Sequence, residues 1–444
     1  MTANNNQPTS VGSHAGALRV GIAGLGTVGC GTIQVLTEAE AVITARAGRP
    51  ITVTAVAARD RSRARPVPLD RYRWHDDAAA LATDPEVDVV VEVIGGSEGT
   101  ARATVDAALA ARKPVVTANK ALLALHGSVL LEAAEQAGVP ILFEAAVAGG
   151  IPVIKALREG LAGNAISRVS GILNGTCNYI LTEMRETGAA FAQVLADAQR
   201  LGYAEADPSF DVDGVDAAHK LAILAGLAFG CHVDFAGVSV EGIRHISPVD
   251  IDFAQELGYR IKLLGMARLG PFGLEQRVAP CMVPVSAPIA QVDGVFNAVA
   301  IDGDSVGALF LRGRGAGAGP TASAVVADLI DLARGAGAQP FGVPSSRLTS
   351  APRAPQERHR GSFYIRLMVR DRPGVIADVA AALRDQQVSL QSMLQRARHP
   401  EDAVPVVLTT HETEEAAMQR ALAAIAAFNH VVEPPRVLRI LQDL

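Results

Sequence analysis

The sequence has few cysteines, few aromatic residues and no strong excess of either charge. Four scattered cysteines without a C-x-x-C spacing predict neither a zinc site nor a disulfide framework. A formal charge of −6 over 444 residues argues against a nucleic-acid-binding protein, which needs a concentrated basic face. No apolar run reaches the ~20 residues that span a bilayer, and the polar start through Ala17 lacks the pattern of a signal peptide. We therefore expect a protein of the reducing cytoplasm without a membrane partner.

Short apolar strands alternate with helices in the first part of the chain. The predicted strands are Leu18–Ala23, Ile51–Ala57, Val87–Ile94, Val115–Ala118 and Ile141–Ala145. Such alternation predicts right-handed crossovers and a parallel sheet. We expect this domain to cover residues 18–145, after a disordered tail of residues 1–17.

The remainder of the chain is predicted to contain two further domains. Residues 146–343 mix helices with β-like runs and indicate an α+β domain whose end returns to the first domain. Residues 344–361 are rich in Pro and Arg without a hydrophobic period, which is typical of a linker. Residues 362–444 have the order βαββαβ, which predicts a ferredoxin-like module.

A glycine-rich turn joins the first strand to a helix. The turn has the pattern G-x-G-x-x-G and consists of Gly24, Leu25, Gly26, Thr27, Val28 and Gly29. The glycines allow a tight turn, a close approach of a pyrophosphate and close helix packing, and the helix N-terminus attracts phosphate. Glycine-rich turns also serve packing alone. In this context the turn favours a Rossmann-type dinucleotide-binding domain in an α/β protein.

The end of the second strand bears on the choice of nicotinamide. NAD sites usually place an acidic residue there, and Asp60 meets that requirement. Arg59 and Arg61 are suited to the 2′-phosphate of NADP, although all three charges also fit a solvated loop. We expect NADP, with NAD as the alternative.

Five carboxylates precede a single lysine between Gly202 and Lys220. Asp213 is a candidate N-cap, and Asp216 and Lys220 are spaced i, i+4 on one helix face, away from His219. A capped and solvated helix start would explain an ordinary acidic run. Here the lysine lies where the pattern becomes apolar, so its ammonium should be partly desolvated and able to donate a proton to a carbonyl being reduced.

This stretch reads G-Y-x-E-x-D-P-x-x-D-V-x-G-x-D-x-x-x-K and resembles the signature of the homoserine dehydrogenase family at every fixed position. Three other stretches agree with the resemblance, which covers about residues 18–343. They are Gly24–Gly29, Thr117–Lys120 and Asn174–Ile180.

The resemblance implies a role for each matching residue. Lys220 would be the catalytic acid and base, Asp211 would support it, and Lys120 would be a second lysine near nicotinamide and substrate. Glu205 and Asp216 would bind the substrate. The other implied residues are Asn174, Gly175 and Thr176 for the substrate pocket, and Gly202 and Gly317 for the cofactor.

Residues 144–152 resemble the monovalent-cation loop of the same family. A Glu144 oxygen and the carbonyls of Val147, Gly149 and Ile151 would hold sodium or potassium. Hard cations prefer such oxygen ligands. The family often has Thr where this sequence has Ala146, but a carbonyl site does not depend on that side chain.

Residues 371–377 look like the start of an ACT domain, a ligand-sensing module of amino-acid metabolism. The turn at Pro373 and Gly374 exposes N–H groups that can receive an amino-acid carboxylate. The resemblance implies threonine as a feedback inhibitor, and a homodimer or a dimer of dimers. The alternative is a module that only pairs subunits.

The implied activity is the reversible reduction of L-aspartate 4-semialdehyde to L-homoserine, which supplies threonine, methionine and isoleucine biosynthesis. Two rivals remain. One is a reductase of the same nucleotide fold that acts on another semialdehyde or imine. The other is a sensor that binds NADP and threonine without turnover, although Glu205 and Lys220 are both present.

Overall fold

The computed structural model describes residues 16–336, 339–396 and 403–442. The tail predicted for residues 1–17 therefore lies outside the described residues, apart from Gly16 and Ala17. The described chain divides into two compact units. The first comprises the residues up to Ala162 together with Ala316–Leu348, and the second comprises Gly163–Gly315 and the residues from Thr349 onward.

The described chain contains strands and helices throughout its length. The strands are β1 Leu18–Ala23, β2 Ile51–Ala57, β3 Arg73–His75, β4 Val89–Glu92, β5 Val115–Thr117, β6 Ile141–Leu142, β7 Ile166–Ile172, β8 Ser239–Val240, β9 Tyr259–Gly270, β10 Gly273–Pro284, β11 Phe296–Gly303, β12 Gly307–Arg314, β13 Arg360–Arg370, β14 Leu390–Gln395, β15 Ala403–Thr410, β16 Thr413–Glu414 and β17 Arg436–Ile440. The helices are α1 Thr27–Glu38, α2 Glu40–Ala47, α3 Ala78–Thr83, α4 Thr100–Ala110, α5 Lys120–Ala137, α6 Val153–Lys155, α7 Gly175–Thr187, α8 Phe191–Arg200, α9 Ser209–Val212, α10 Val215–Phe229, α11 Pro248–Glu256, α12 Ala318–Ala333, α13 Val375–Asp385 and α14 Glu415–Ala426.

The first unit is built on a six-stranded parallel sheet of order β3-β2-β1-β4-β5-β6. Both faces of the sheet are covered, which explains why β4 is buried at every position. Its core includes Val20, Ile22 and Val91. Helix α12 belongs to this unit and packs on α1, where a Cβ at Gly31 would lie 2.8 Å from the carbonyl oxygen of Ala318. The predicted parallel sheet is confirmed.

The second unit contains a larger mixed sheet. Nine strands follow the order β12-β11-β7-β9-β10-β17-β13-β15-β14, with β8 paired to β10 and β16 paired to β13. Strands β9 and β10 form a long antiparallel hairpin with continuous register from Gly270–Gly273 to Tyr259–Pro284. Helix α10 packs against this sheet and is buried along most of its length.

The C-terminal module, from β13 to β17, has the order βαββαβ that the sequence predicts, with β16 as a two-residue addition. Its own core includes Ile365, Leu383, Val406 and Ile425. Strand β17 pairs with β13 on one side and, through Arg439 and Ile440 alone, with β10 on the other. The module therefore continues the sheet of the second unit.

Two local predictions are wrong. The strand predicted over residues 141–145 ends at Leu142, because Glu144–Ala146 turn into a 3₁₀ helix. Asp213 is not the N-cap of α10. That position is taken by Gly214 at φ 86°, while the Asp213 side chain pairs with Arg244. A residue with a side chain rarely adopts this backbone conformation, so the glycine fixes the helix start.

The segment predicted as a linker, residues 344–361, is hydrogen-bonded to its surroundings. The Thr349 N–H donates to the Gly230 carbonyl over 3.2 Å, and the Leu274 N–H donates to the Pro352 carbonyl over 2.7 Å. Hydrogen bonds between backbone groups produce no hydrophobic period in the sequence. These contacts of residues 344–361 could therefore not be predicted.

All four cysteines are buried and free. None of the helices in the described parts of the chain combines the length and apolar character that a membrane crossing requires.

Candidate active site

The glycine-rich turn has the geometry that a dinucleotide needs. Gly24 has φ 106°, and a Cβ there would lie 2.6 Å from the carbonyl oxygen of Val93. A Cβ at Gly29 would overlap the carbonyl oxygen of Gly24. Helix α1 starts at Thr27 without a side-chain cap on Gly26, so its first N–H groups are available to an anion. The residues present therefore fit a pyrophosphate.

A cavity of about 550 Å³ adjoins this turn within the first unit. The loop after β2 lines it with Arg59, Asp60, Arg63 and Arg65. Asp60 is engaged by its own loop, because its carboxylate accepts from the backbone N–H (2.8 Å) and the hydroxyl (2.6 Å) of Ser62. These hydrogen bonds lower the pKa of Asp60. The loop after β2 thus brings three arginines to the cavity wall, while its one carboxylate is engaged within the loop.

Lys120 lies at the carboxyl edge of the parallel sheet, as the first residue of α5. Asn119 caps this helix by accepting from the Leu122 N–H over 3.1 Å. The carboxylate of Glu92, fully buried at the end of β4, accepts from the Thr117 hydroxyl over 2.7 Å. Glu92 therefore holds the segment that leads to Lys120.

The candidate catalytic lysine belongs to the second unit. Lys220 is 8% exposed and Asp216 is 4% exposed, so the apolar end of the acidic stretch desolvates the pair as predicted. The Lys220 ammonium donates to Asp216 Oδ2 over 2.6 Å and to the carbonyl of Leu173 over 2.8 Å. An ammonium has three N–H donors. Among the described contacts, the third N–H of Lys220 has no protein acceptor. It is therefore available to a substrate oxygen.

Asn174 connects this pair to a second carboxylate. Its amide nitrogen donates to Asp211 Oδ1 over 2.7 Å and to Asp216 Oδ2 over 2.9 Å. Its amide oxygen accepts from the Cys177 N–H and caps α7. One residue thus fixes the start of a helix and the spacing of two carboxylates beside Lys220.

The remaining predicted substrate residues divide into two groups. Gly175 and Thr176 lie next to Asn174 in the first turn of α7. A Cβ at Gly175 would lie 2.7 Å from the carbonyl oxygen of Val295, and the Thr176 hydroxyl donates to the carbonyl of Tyr203 over 2.9 Å. Glu205 is exposed, and its backbone carbonyl accepts from the Gln199 side-chain amide over 2.9 Å.

Two glycines predicted to bind cofactor lie in different units. Gly202 follows α8 in the second unit at φ 78°. Gly317 precedes α12 in the first unit at φ 114°.

The predicted cation loop is buried and unusually bent. Ala148 and Gly149 have φ 55° and 48°. No backbone N–H of the described residues donates to the carbonyls of Val147 or Gly149, whereas the Ile151 carbonyl accepts from Val153 over 2.7 Å.

The carboxylate of Glu144 has a structural task beside this loop. It accepts from the N–H groups of Ile154 (3.0 Å) and Lys155 (2.8 Å). Burial and the neighbouring Asp328 carboxylate raise the pKa of Glu144 to about 7. The backbone N–H groups at the start of α6 therefore fix the Glu144 carboxylate beside the loop. No cluster of three His, Cys, Asp or Glu side chains suited to a metal occurs among the described residues.

Comparison with known proteins assigns the chain to a family. Models for "Homoserine dehydrogenase, NAD binding domain", "Homoserine dehydrogenase" and "ACT domain" match residues 24–144, 152–330 and 363–429. Homoserine dehydrogenases of Pseudomonas aeruginosa and Neisseria gonorrhoeae are 46% and 44% identical, over 96% and 95% of this chain and 99% and 98% of theirs. The chain belongs to the homoserine dehydrogenase family.

Solved structures agree with this family assignment. The crystal structure of a homoserine dehydrogenase from Thiobacillus denitrificans has a TM-score of 0.90 and 46% identity, and covers 96% of this chain and 98% of that one. A hyperthermophilic archaeal homoserine dehydrogenase in complex with NADPH has a TM-score of 0.61 and 27% identity, over 71% of this chain and 97% of that one.

Membership of the homoserine dehydrogenase family makes the chain an oxidoreductase that acts on the CH–OH group of homoserine. Its nucleotide-binding domain takes a nicotinamide cofactor, and a C-terminal ACT domain is present. The predicted family and fold class are confirmed.

Sequence reasoning missed two residues of this homoserine dehydrogenase. Glu92 ends a run of three valines, and a carboxylate at the end of a buried strand was the available signal. Arg244 pairs with Asp213, and one of their contacts is 3.1 Å long. No local sequence pattern indicated this pair, because 31 positions separate the two residues.

Proposed function

We propose that this homoserine dehydrogenase reversibly reduces L-aspartate 4-semialdehyde to L-homoserine with NADPH. The observation that carries the proposal is the buried Lys220–Asp216 pair, bridged by Asn174 to Asp211. A desolvated ammonium with one N–H to spare beside carboxylates suits a substrate that carries both an aldehyde and an ammonium group.

The bound nicotinamide supplies the hydride to the aldehyde carbon. As the C=O bond becomes a single bond, Lys220 gives one proton to the oxygen and becomes a neutral amine. Asp216 accepts from the lysine and holds it in place through this change. In the reverse direction the amine takes the proton from homoserine. Asn174, Gly175 and Thr176 remain the proposed wall of the substrate pocket. Glu205 and Asp216 remain the proposed ligands of the substrate, and Asp211 supports the lysine.

NADPH is the proposed cofactor because the cavity beside the glycine-rich turn is lined by Arg59, Arg63 and Arg65, while Asp60 is bound to Ser62. We also propose that a Glu144 oxygen and the carbonyls of Val147, Gly149 and Ile151 hold sodium or potassium. The lack of backbone hydrogen bonds to the Val147 and Gly149 carbonyls in the described chain supports this proposal.

Three further proposals concern regulation and setting. The ACT domain supports feedback inhibition by threonine, the end product of one branch of the pathway. A homodimer or dimer of dimers follows from the family resemblance. The four free cysteines agree with a reducing cytoplasm.

The test is loss of NADPH absorbance with aspartate semialdehyde, using wild type, Lys220→Met and Lys113→Met. General acid catalysis contributes about 10²–10⁴-fold, so Lys220→Met should lower kcat by that factor while cofactor binding and the melting curve stay near wild type. Lys113 precedes β5 at the opposite edge of the sheet from Lys120, so Lys113→Met should keep full turnover.

A folded Lys220→Met protein with wild-type turnover would remove Lys220 from the reaction. Wild type that binds NADPH but oxidises none of it would support the sensor without turnover. Oxidation with another semialdehyde or an imine alone would support the other reductase.

A further inference from the structure

A cavity of about 340 Å³ lies inside the second unit, lined by helix α7, helix α11 and the start of strand β9. Its lining residues all fall within residues 152–330, the part of the chain that matches the homoserine dehydrogenase family, and none belongs to the C-terminal module. The volume is at the lower end of the ~300–1,000 Å³ of ligand pockets. The cavity is therefore large enough for a small organic molecule.

Three cations that line this cavity share one carboxylate. Asp293 Oδ1 accepts from Arg185 over 2.9 Å and from Lys262 over 3.1 Å, and Asp293 Oδ2 accepts from Arg260 over 3.3 Å. Burial would raise the pKa of Asp293, but the hydrogen bond from Arg185 and the charge of Lys262 lower it to about 2. The carboxylate therefore stays ionised and supplies one negative charge to three positive ones.

The positive charge of this cluster is not fully balanced. The other carboxylate beside it is Glu186, which pairs with Arg185 but is 55% exposed at its side chain, so solvent screens its charge. Burial lowers the pKa of Lys262 to about 8 against the opposing charge of Asp293, and the charges of Arg185 and Arg260 lower it too. Three cations against two carboxylates leave one positive charge, which a single negative charge in the cavity would neutralise.

The two guanidinium groups of the cluster have N–H donors to spare. Lys262 uses its three N–H groups on protein acceptors, so it contributes charge rather than a free donor. Arg260 donates through Nη1, and its Nε and Nη2 have no acceptor among the described residues. Nε of Arg185 also has none in the described chain. Guanidinium donors of this kind suit the two oxygens of a carboxylate.

Apolar side chains form much of the remaining lining, among them Leu181, Ile251 and Val285. A ligand with a hydrocarbon part would remove these side chains from water, and an inorganic anion would not. The described lining contains no Asp or Glu side chain, so the ammonium of a zwitterion would have no partner in it. The lining thus favours an anion with an apolar part and without a positive group.

We propose that this cavity binds a small organic monocarboxylate that has a short hydrocarbon part and no ammonium group. Its carboxylate accepts from Arg185 and Arg260, and its hydrocarbon part contacts Leu181 and Ile251. A phosphate ester carries about −1.5 to −2 charges at neutral pH, which exceeds the single positive charge left in the cluster. The proposal goes beyond the dehydrogenase reaction, because neither Lys220 nor the glycine-rich turn lines this cavity.

Isothermal titration of the full-length protein with butanoate, hexanoate and benzoate tests the site. Two further probes separate the parts of the ligand, since 1-hexanol lacks the charge and inorganic phosphate lacks the hydrocarbon. Wild type should bind at least one of the carboxylates once per chain. Loss of a hydrogen bond to a charged group weakens binding by about tenfold or more, so both further probes and the variant Arg260→Gln should show at least that loss.

A second variant tests the cavity without changing its charge. Val285, in the turn after β10, is 43% exposed, so Val285→Trp can fill the cavity from its outer wall and should abolish binding. Val306→Trp is the matched control, because Val306 is 45% exposed in the turn between β11 and β12 and does not line the cavity. Lys220→Met controls for carboxylate binding in the proposed substrate pocket, and both controls should bind as wild type. Circular dichroism and melting curves establish that each variant is folded.

Wild-type affinity in folded Val285→Trp would overturn the proposal, and so would failure of all three carboxylates to bind wild type at millimolar concentration. Loss of binding in Lys220→Met alone would overturn it in favour of the substrate pocket. Phosphate that binds as tightly as the carboxylates would overturn it in favour of an inorganic anion. If Arg260→Gln does not fold, the comparison of Val285→Trp with Val306→Trp decides. Titration needs no turnover, so these outcomes stay distinct from failure of the dehydrogenase assay.

Discussion

At the scale of single residues, the candidate substrate site depends on one helix turn and one amide. The i, i+4 spacing of Asp216 and Lys220 brings their charges together, and the apolar residues that follow remove water from them. Asn174 then shares Asp216 with the lysine. The charge on Lys220 is therefore held by two protein acceptors before any substrate arrives.

Another single residue should decide the cofactor. Arg59→Ala removes a positive charge from the cavity beside the glycine-rich turn, and only NADPH has a 2′-phosphate to lose that contact. We expect kcat/KM for NADPH to fall about tenfold or more while the value for NADH changes little. Steady-state kinetics with both cofactors measure this ratio.

Arg61→Ala is the matched control for that experiment, because Arg61, the other arginine that the sequence suggested for the 2′-phosphate, does not line the cavity. Its guanidinium lies 5.7 Å from the centre of the Trp74 ring. Equal losses for NADPH and NADH in Arg59→Ala would mean that Arg59 does not read the 2′-phosphate.

At the scale of elements, the ends of two neighbouring strands place Lys120. Glu92 at the end of β4 accepts from the Thr117 hydroxyl at the end of β5 and from the N–H of Ile94 over 2.8 Å. Burial raises the pKa of Glu92, and these hydrogen bonds oppose the rise. These hydrogen bonds join the ends of β4 and β5 just before α5 begins.

Glu92→Gln should disturb the hydrogen bonds between these two strand ends without removing the strand. Glutamine has one acceptor oxygen and therefore cannot accept from both the Thr117 hydroxyl and the Ile94 N–H. We expect kcat/KM to fall about tenfold with a smaller change in KM for the semialdehyde. Glu86→Gln, at the other end of β4 and 55% exposed at its side chain, is the control and should behave as wild type. If Glu92→Asp restores kcat/KM, Glu92 acts by positioning the segment before Lys120. If the Glu92 variants lose only folded protein, and the protein that does fold keeps its kcat/KM, the role of Glu92 is purely structural.

Elements whose pattern is local could be predicted from the sequence, and those fixed by distant contacts could not. The bounds of β1 and β2 follow from their apolar runs, and Gly24 and Gly29 occupy positions where a Cβ does not fit. The start of α10 at Gly214 was mispredicted, because Asp213 pairs with the distant Arg244 instead of capping the helix. Likewise, spacing predicted the Asp216–Lys220 pair, but nothing near Asn174 in the chain indicated that it bridges two carboxylates.

At the scale of the whole molecule, the C-terminal module is attached to the rest of the second unit by more than its strand pairing. Buried Asp250 at the start of α11 accepts from the Tyr364 hydroxyl (3.1 Å) and from Arg366 (2.7 Å) on β13. Glu275 on β10 lies 2.7 Å from Nδ1 of His359, which precedes β13. These polar contacts could not be predicted from sequence, because each joins residues more than eighty positions apart.

The Glu275–His359 contact should make this attachment sensitive to acid. Burial would raise the pKa of Glu275, but the close imidazole of His359 and the charges of Arg268 and Arg277 lower it to about 2 from 4.5. A carboxyl whose pKa is depressed in the folded protein stabilises it above the unfolded pKa, and that stability is lost as the pH falls from about 4.5 toward about 2. The contribution is at most on the order of 3 kcal/mol.

The measurement is the difference in urea midpoint between wild type and Glu275→Gln. We expect the variant to be less stable at about pH 6 and the difference to shrink steadily below about pH 4.5, because wild type then loses the same charge. Glu412→Gln is the matched control. It breaks an exposed pair with Arg360, worth roughly 0–1 kcal/mol, and should differ little from wild type at either pH. A difference that stays constant down to about pH 3 would show that the side chain of Glu275 contributes packing rather than charge, and that the module is not held by this ion pair.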